Sequence, residues 1–106
     1  MKKSEQFEQN NTVVAMLESL NRRSFYTVDN KQIRCCSANV VVEMDNLTGE
    51  CIPFLYSYGT CIAAIVDGVC YDFLRYVYGY TSTSAHHIAK FCCDYHATKK
   101  LTYKPL

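Results

Sequence analysis

Val69-Cys70-Tyr71-Asp72-Phe73-Leu74-Arg75-Tyr76-Val77-Tyr78-Gly79-Tyr80 is the stretch on which the fold turns, because it satisfies two periodicities at once. Read as a strand over Val69–Tyr78, it places Leu74, Tyr76 and Tyr78 on one face, and Tyr80 continues that row. Read as a helix, Val69, Phe73, Tyr76, Val77 and Tyr80 share a stripe, Gly79 supplies a stop, and Tyr76 and Tyr80 turn inward. Asp67-Gly68 just upstream is the strongest short-range hairpin signal, and the segment is rich in aromatic and β-branched residues. Both features assign it to a strand, which aligns Tyr76, Tyr78 and Tyr80.

Working back from this stretch, Thr60–Val66 reads as the strand paired across the Asp67-Gly68 turn. Cys51–Tyr58 reads as another, in which Pro53 cannot donate a ladder hydrogen bond and so predicts an edge position or a bulge. Leu47-Thr48-Gly49 has the composition of a hairpin loop, and Ile33–Met44 carries the strong β signal Val40-Val41-Val42. Phe25–Val28 is a short strand that stops at the turn pair Asp29-Asn30. Before it, Phe7, Val13, Val14, Met16, Leu17 and Leu20 recur at helical spacing over Ser4–Arg23. The poor helix formers Asn10, Asn11 and Thr12 leave open a start as late as Asn11.

Working forward, Ser82 or Ser84 is placed to cap a final helix whose apolar stripe is Ile88, Phe91, Cys92 and Tyr95, with Lys90 on its polar side. Lys99 and Lys100 close that helix, and Leu101-Thr102-Tyr103 adds a short last strand. The expected fold is α+β over a single domain, 1–106: an N-terminal helix, an antiparallel sheet of four to five strands, and a C-terminal helix packed on one face.

Bulk composition narrows the class. With 49% hydrophobic and 20% charged residues in 106, the chain is globular and large enough for a modest core. A net charge of +1 decides nothing about nucleic acid by itself. Arg22, Arg23, Lys31 and Arg34 form an early basic region, Lys90, Lys99, Lys100 and Lys104 a late one, and Glu43, Asp45 and Glu50 lie between. The longest uncharged run, Cys51–Val66, is 16 residues and contains Pro53 and Gly59, short of the ~20 apolar residues of a spanning helix. Met1-Lys2-Lys3 leads into Ser4-Glu5-Gln6 with no apolar h-region, which predicts no export, no membrane partner and a cytoplasmic location. Two Asn-x-Thr patterns, at Asn10 and Asn46, therefore carry no weight. The seven cysteines include the adjacent pairs Cys35-Cys36 and Cys92-Cys93, match no secreted disulfide framework, and are expected to be reduced and mostly buried.

No residue set spells out a reaction. Cys92-Cys93-x-x-His96 with His86, His87 and Cys35-Cys36 invites a zinc reading, but adjacent ligands on a helix point ~100° apart, so no metal or other cofactor is expected. Cysteine and histidine are both present without a glycine-flanked nucleophile, a phosphate loop or a distinctive acid pair, so the chain is not read as an enzyme.

The tyrosines carry more. Six of the nine lie between Tyr56 and Tyr80, and a single strand face carrying Tyr76, Tyr78 and Tyr80 is more aromatic surface than a small core needs. Tyrosine provides rigid contact area at low entropic cost and is enriched at interface hot spots. Two histidines one residue apart diverge, so one of His86 and His87 faces inward. The other, with Lys90, reaches an acidic partner or a phosphate near the helix's positive end. The expected partner-binding residues are Tyr76, Tyr78, Tyr80, His87 and Lys90, with a homodimer through the sheet edge or aromatic face. The alternative is a nucleic-acid-binding regulator using Arg22, Arg23, Lys99 and Lys100 with tyrosine stacking.

The run Tyr78-Gly79-Tyr80-Thr81-Ser82-Thr83-Ser84-Ala85-His86-His87-Ile88-Ala89-Lys90-Phe91 is similar to a Tyr-Gly-Tyr-Thr-x-Thr-Ser-Ala-x-His-Ile-x-Lys-Phe segment. That segment belongs to a family of small proteins of phages and mobile elements of gut Firmicutes. Ser57-Tyr58-Gly59-Thr60-Cys61-Ile62-Ala63 resembles the family's upstream Ser-Tyr-x-Thr-x-Ile-Ala, and Tyr103-Lys104-Pro105 its closing Tyr-x-Pro. The resemblance covers the C-terminal half and carries over no catalytic residue. It implies a phage-type accessory protein that evades host defence without catalysis. In that reading it binds a host protein as an inhibitor of a defence nuclease of the anti-CRISPR type, with a CRISPR effector nuclease as partner.

Overall fold

The computed structural model describes residues 2–33 and 38–106, so Arg34 and the Cys35-Cys36 pair lie outside the described residues. Helix α1 (Lys3–Asn21) leads into strands β1 (Phe25–Ile33), β2 (Ala38–Asp45), β3 (Cys51–Ser57), β4 (Thr60–Val66) and β5 (Val69–Asp72). A one-turn helix α2 (Leu74–Val77), helix α3 (Ser82–Asp94) and strand β6 (Lys99–Thr102) complete the chain. The strands form one sheet in sequence order, antiparallel from β1 through β5, with β6 added parallel to β5. The α+β expectation holds, with six strands in place of four or five.

Period-two alternation sends the sheet's apolar residues to both faces. Leu55, Ala63, Ile65 and Cys70 join Ile88 and Phe91 of α3 in one core. Ile52, Phe54, Ala64, Val66 and Tyr71 join Val13 and Leu20 of α1 in the other. The two long helices thus cover opposite faces, and β4, buried along most of its length, reads as the near-continuous apolar run that double coverage demands. Each fully buried Ile88 or Phe91 side chain contributes roughly 1.5–3 kcal/mol by leaving water.

The deciding stretch contains both periodicities in succession, and the strand assignment for Val69–Tyr78 is corrected accordingly. Strand pairing runs out at Ala63↔Asp72. There the Asp72 carboxylate accepts the Leu74 N–H at 3.0 Å, and the Phe73 carbonyl accepts from Tyr76 and Val77 at 2.9 and 3.0 Å. An aspartate two residues before an N–H is the local bond that competes with a ladder, and here it starts a helical turn. Gly79, at φ +104, ends it. Tyr76, Tyr78 and Tyr80 therefore do not share a strand face. The turn is too short to pull Tyr76 and Tyr80 inward.

Other boundaries also moved. Asp29-Asn30 is not a turn: β1 runs through it, and a bulge between Thr27 and Asp29 absorbs the extra residue, Val28. β3 is an interior strand, not an edge. Pro53 is accommodated because β3–β4 pairing begins only at Phe54↔Ala64, leaving Pro53 with a partner on β2 alone. No bulge falls at Pro53; the β3–β4 register shifts opposite Leu55 and Tyr56, where the extra residue is Ile62 of β4, which packs in the same core as Ala63. Asp67-Gly68 makes the expected hairpin with both residues in the left-handed region, φ +51 and +77. α1 starts at Lys3 and not at Asn11, and α3 is capped by Thr81 instead of Ser82 or Ser84, its hydroxyl accepting the Ser84 N–H at 3.1 Å.

Candidate functional site

Four of the five exposed tyrosines lie on the β3–β4 turn and the segment from α2 to α3; the fifth, Tyr26, is on β1. Tyr58 is 73% exposed, Tyr80 56%, Tyr76 48% and Tyr78 46%. Tyr76, Tyr78 and Tyr80 occupy α2 and the segment leading to α3, while Tyr58 sits in the β3–β4 turn. Tyr58-Gly59 is a second pair of left-handed residues, φ +51 and +81, so Tyr58 projects from a turn tip and does not share a strand face with the half-buried Tyr56.

Each ring has a neighbour that fixes it. The Tyr58 and Tyr78 rings stack 7° from parallel with centroids 6.5 Å apart. Tyr76 meets Tyr103 edge-on at 5.0 Å, and the Arg75 guanidinium lies 4.6 Å from the Tyr80 ring centre. Tyr76 and Tyr103 also line a shallow groove with Phe7, an apolar residue of α1 that stays exposed. The C-terminal tail is tied to α1 beside that groove. The buried Asn10 side chain donates to the Lys104 carbonyl at 2.6 Å and accepts the Lys104 N–H at 2.9 Å.

The remaining expected residues divide. Lys90 is exposed and pairs with Asp94 one turn on, at 3.2 Å. His87 is the inward member of its pair, 6% exposed, and His86 faces solvent, so a surface role for His87 is corrected. The reason is the helical stripe: His87 precedes Ile88 and follows the buried Ser84 by three residues, which puts it over the sheet. Its Nδ1 has no hydrogen-bond partner among the described residues.

Two of the four basic residues of the alternative reading pair with acids. The Arg23 guanidinium is held at 2.6 Å by Asp45 and at 2.6 Å by Glu50. Lys99 and Lys100 lie on β6, where Lys100 is 3.9 Å from Asp72.

The cysteines differ most from expectation. Cys70 of β5 and Cys92 of α3 form a disulfide with Cα atoms 6.1 Å apart, and Cys51 and Cys93 are exposed. Burial pushes the Cys61 thiol up to about 12, which leaves it no nucleophilic character near neutral pH. Among the described residues no three His, Cys, Asp or Glu side chains gather as a metal site, and no helix is long and apolar enough to cross a membrane.

Arg75, Tyr58 and Tyr103 escaped the sequence reading. An aromatic residue followed by glycine between two strand-like runs was the available signal for Tyr58 at a turn tip. No protein-family model, curated protein or solved structure matches the chain. Fold and surface together define an α+β protein with helices on both sheet faces and a group of exposed tyrosines.

Proposed function

We propose that this chain is a non-enzymatic binding protein that docks a partner protein through Tyr58, Tyr76, Tyr78 and Tyr80. One observation carries this reading. Four large aromatic side chains stay roughly half exposed or more, while Phe73 and Phe91 are fully buried in the core. The core is therefore filled without them, and rings braced by neighbours lose little entropy on binding. In the same reading Lys90 and the exposed His86 of α3 supply polar contacts to the partner. On the likeness to phage and mobile-element proteins, the partner is a host defence nuclease of the CRISPR effector type, met in the bacterial cytoplasm.

The test is target cleavage by a panel of purified CRISPR effector nucleases, with and without the chain. Inhibition by the wild type that is lost on combined Tyr58→Ser, Tyr76→Ser, Tyr78→Ser and Tyr80→Ser supports the reading. No inhibition of any effector removes the nuclease part and leaves protein docking to be judged by affinity capture. A homodimer belongs to the same proposal through β1, an edge strand whose Tyr26 and Val28 are exposed. Sedimentation at two concentrations measures it.

A further inference from the structure

Between the β3–β4 turn and the first turns of α3 lies a cleft of about 290 Å³. It is lined by two serines (Ser57, Ser84), two threonines (Thr81, Thr83), two tyrosines (Tyr58, Tyr78) and His87. Every lining side chain carries a hydroxyl or an imidazole, and none is a carboxylate. Such a wall is rich in hydrogen-bond donors and holds nothing to attract a cation.

Three further features make it more than a polar dent. Ser57, Ser84 and His87 are each more than nine-tenths buried, yet His87 Nδ1 has no hydrogen-bond partner among the described residues. Buried polar atoms in folded proteins are nearly always satisfied, so an unpaired nitrogen on a side chain that lines the cleft points to a ligand atom there. The cleft also lies against the N-terminus of a 13-residue helix. The Thr81 hydroxyl takes the Ser84 N–H, and the Thr81 carbonyl takes the Ala85 N–H. The Ser82 and Thr83 amides precede the first intrahelical bond and remain at the helix's positive end. Finally, the Tyr58 and Tyr78 rings at the mouth are parallel within 7° and 6.5 Å apart. Tyr58 is 73% exposed, so a planar ring has an open aromatic face to stack on.

We infer that this cleft binds a nucleoside monophosphate, its phosphate at His87 and the α3 N-terminus and its base against Tyr58 and Tyr78. A phosphate accepts from more donors than a carboxylate does, which matches the number of hydroxyls and amides assembled here. The inference stands apart from protein docking, because it is measured on the isolated chain with no partner present.

The experiment is calorimetric titration of the full chain with inorganic phosphate, ribose 5-phosphate, adenosine and adenosine monophosphate. The nucleotide is expected to bind about tenfold more tightly than ribose 5-phosphate, the gain expected of one stacked base. Tyr58→Ala is expected to remove that difference while leaving ribose 5-phosphate binding unchanged. His87→Leu is expected to weaken both phosphorylated ligands. Should His87→Leu fail to fold, the exposed Tyr58 variant alone decides. Equal affinity for ribose 5-phosphate and the nucleotide, or nucleotide binding unaltered by Tyr58→Ala, overturns the inference. Absence of binding by either phosphorylated compound overturns it too, as does binding of an oligonucleotide without the mononucleotide.

Discussion

The rings of Tyr58 and Tyr78 lie parallel with centroids 6.5 Å apart, so the β3–β4 turn meets the segment between α2 and α3 through side chains that are both largely in water. The contact organises a surface without supporting the core. Tyr58→Ala or Tyr78→Ala is therefore expected to cost no more than about 1 kcal/mol of stability, the scale of an exposed aromatic pair. The same substitutions should weaken partner binding by about 2 kcal/mol, or roughly thirtyfold, if the rings are hot spots. Urea denaturation and surface plasmon resonance on each variant separate the two effects.

Asn10 is the reverse case, a buried polar side chain whose bonds hold the tail. Its Oδ1 accepts from Gln6 at 2.7 Å and from the Lys104 N–H at 2.9 Å, and its Nδ2 donates to the Lys104 carbonyl at 2.6 Å. Asn10→Ala leaves the Lys104 groups unpaired in a half-buried setting, at an expected cost of about 1–3 kcal/mol. Hydrogen exchange should show the Lys104 amide losing protection first, with β6 following, while β2 and β3 stay protected.

The Arg23 guanidinium beside Asp45, with the Thr48 and Leu47 amides, holds the Asp45 carboxyl below its ordinary value of 3.8. A carboxylate depressed in the folded state contributes stability that is present above the unfolded value and lost as pH falls through the folded one. Asp72 has the opposite sign: burial raises its carboxyl, so its contribution is present at low pH and lost as pH rises through the folded value. Stability between pH 6 and pH 2 should therefore decline less in Asp45→Asn than in the wild type, and more in Asp72→Asn. Urea midpoints across that range check both directions.

Cys70 and Cys92 join the sheet to α3 across a separation of 22 residues. Closing a loop of that size is worth roughly 3 kcal/mol in the chain-entropy account. Reductant should lower the urea midpoint of the wild type and leave Cys70→Ala unchanged. Peptide mapping of the oxidised protein should recover Cys70 linked to Cys92, with Cys51 and Cys93 open to alkylation.

Where local chemistry and tertiary context agreed, the sequence was readable. Val40-Val41-Val42 and the Ile88–Phe91 stripe fell where their periodicities placed them because each buries a matching face, and the Asp67-Gly68 turn formed because both residues accept left-handed backbone. Asp29-Asn30 misled because a bulge let the strand absorb a turn-forming pair. Val69–Tyr80 misled because the Asp72 carboxylate ends a strand and starts a helical turn within one run of aromatic residues. The parallel pairing of β6 with β5 depends on α3 crossing the sheet, which no local pattern encodes. At the candidate site, the tyrosines were legible as surplus aromatic surface. The burial of His87 was not, since spacing alone does not say which of two adjacent histidines faces the sheet.

Protein docking through the tyrosines is tested most directly by affinity capture from a bacterial lysate cleared of nucleic acid. Wild type is compared with the combined Tyr58→Ser, Tyr76→Ser, Tyr78→Ser and Tyr80→Ser variant, whose fold is first verified by its urea midpoint. A protein retained stoichiometrically by the wild type, and at least about thirtyfold less by the variant, is the expected result. Equal recovery by both, or retention only when nucleic acid is left in the lysate, contradicts it.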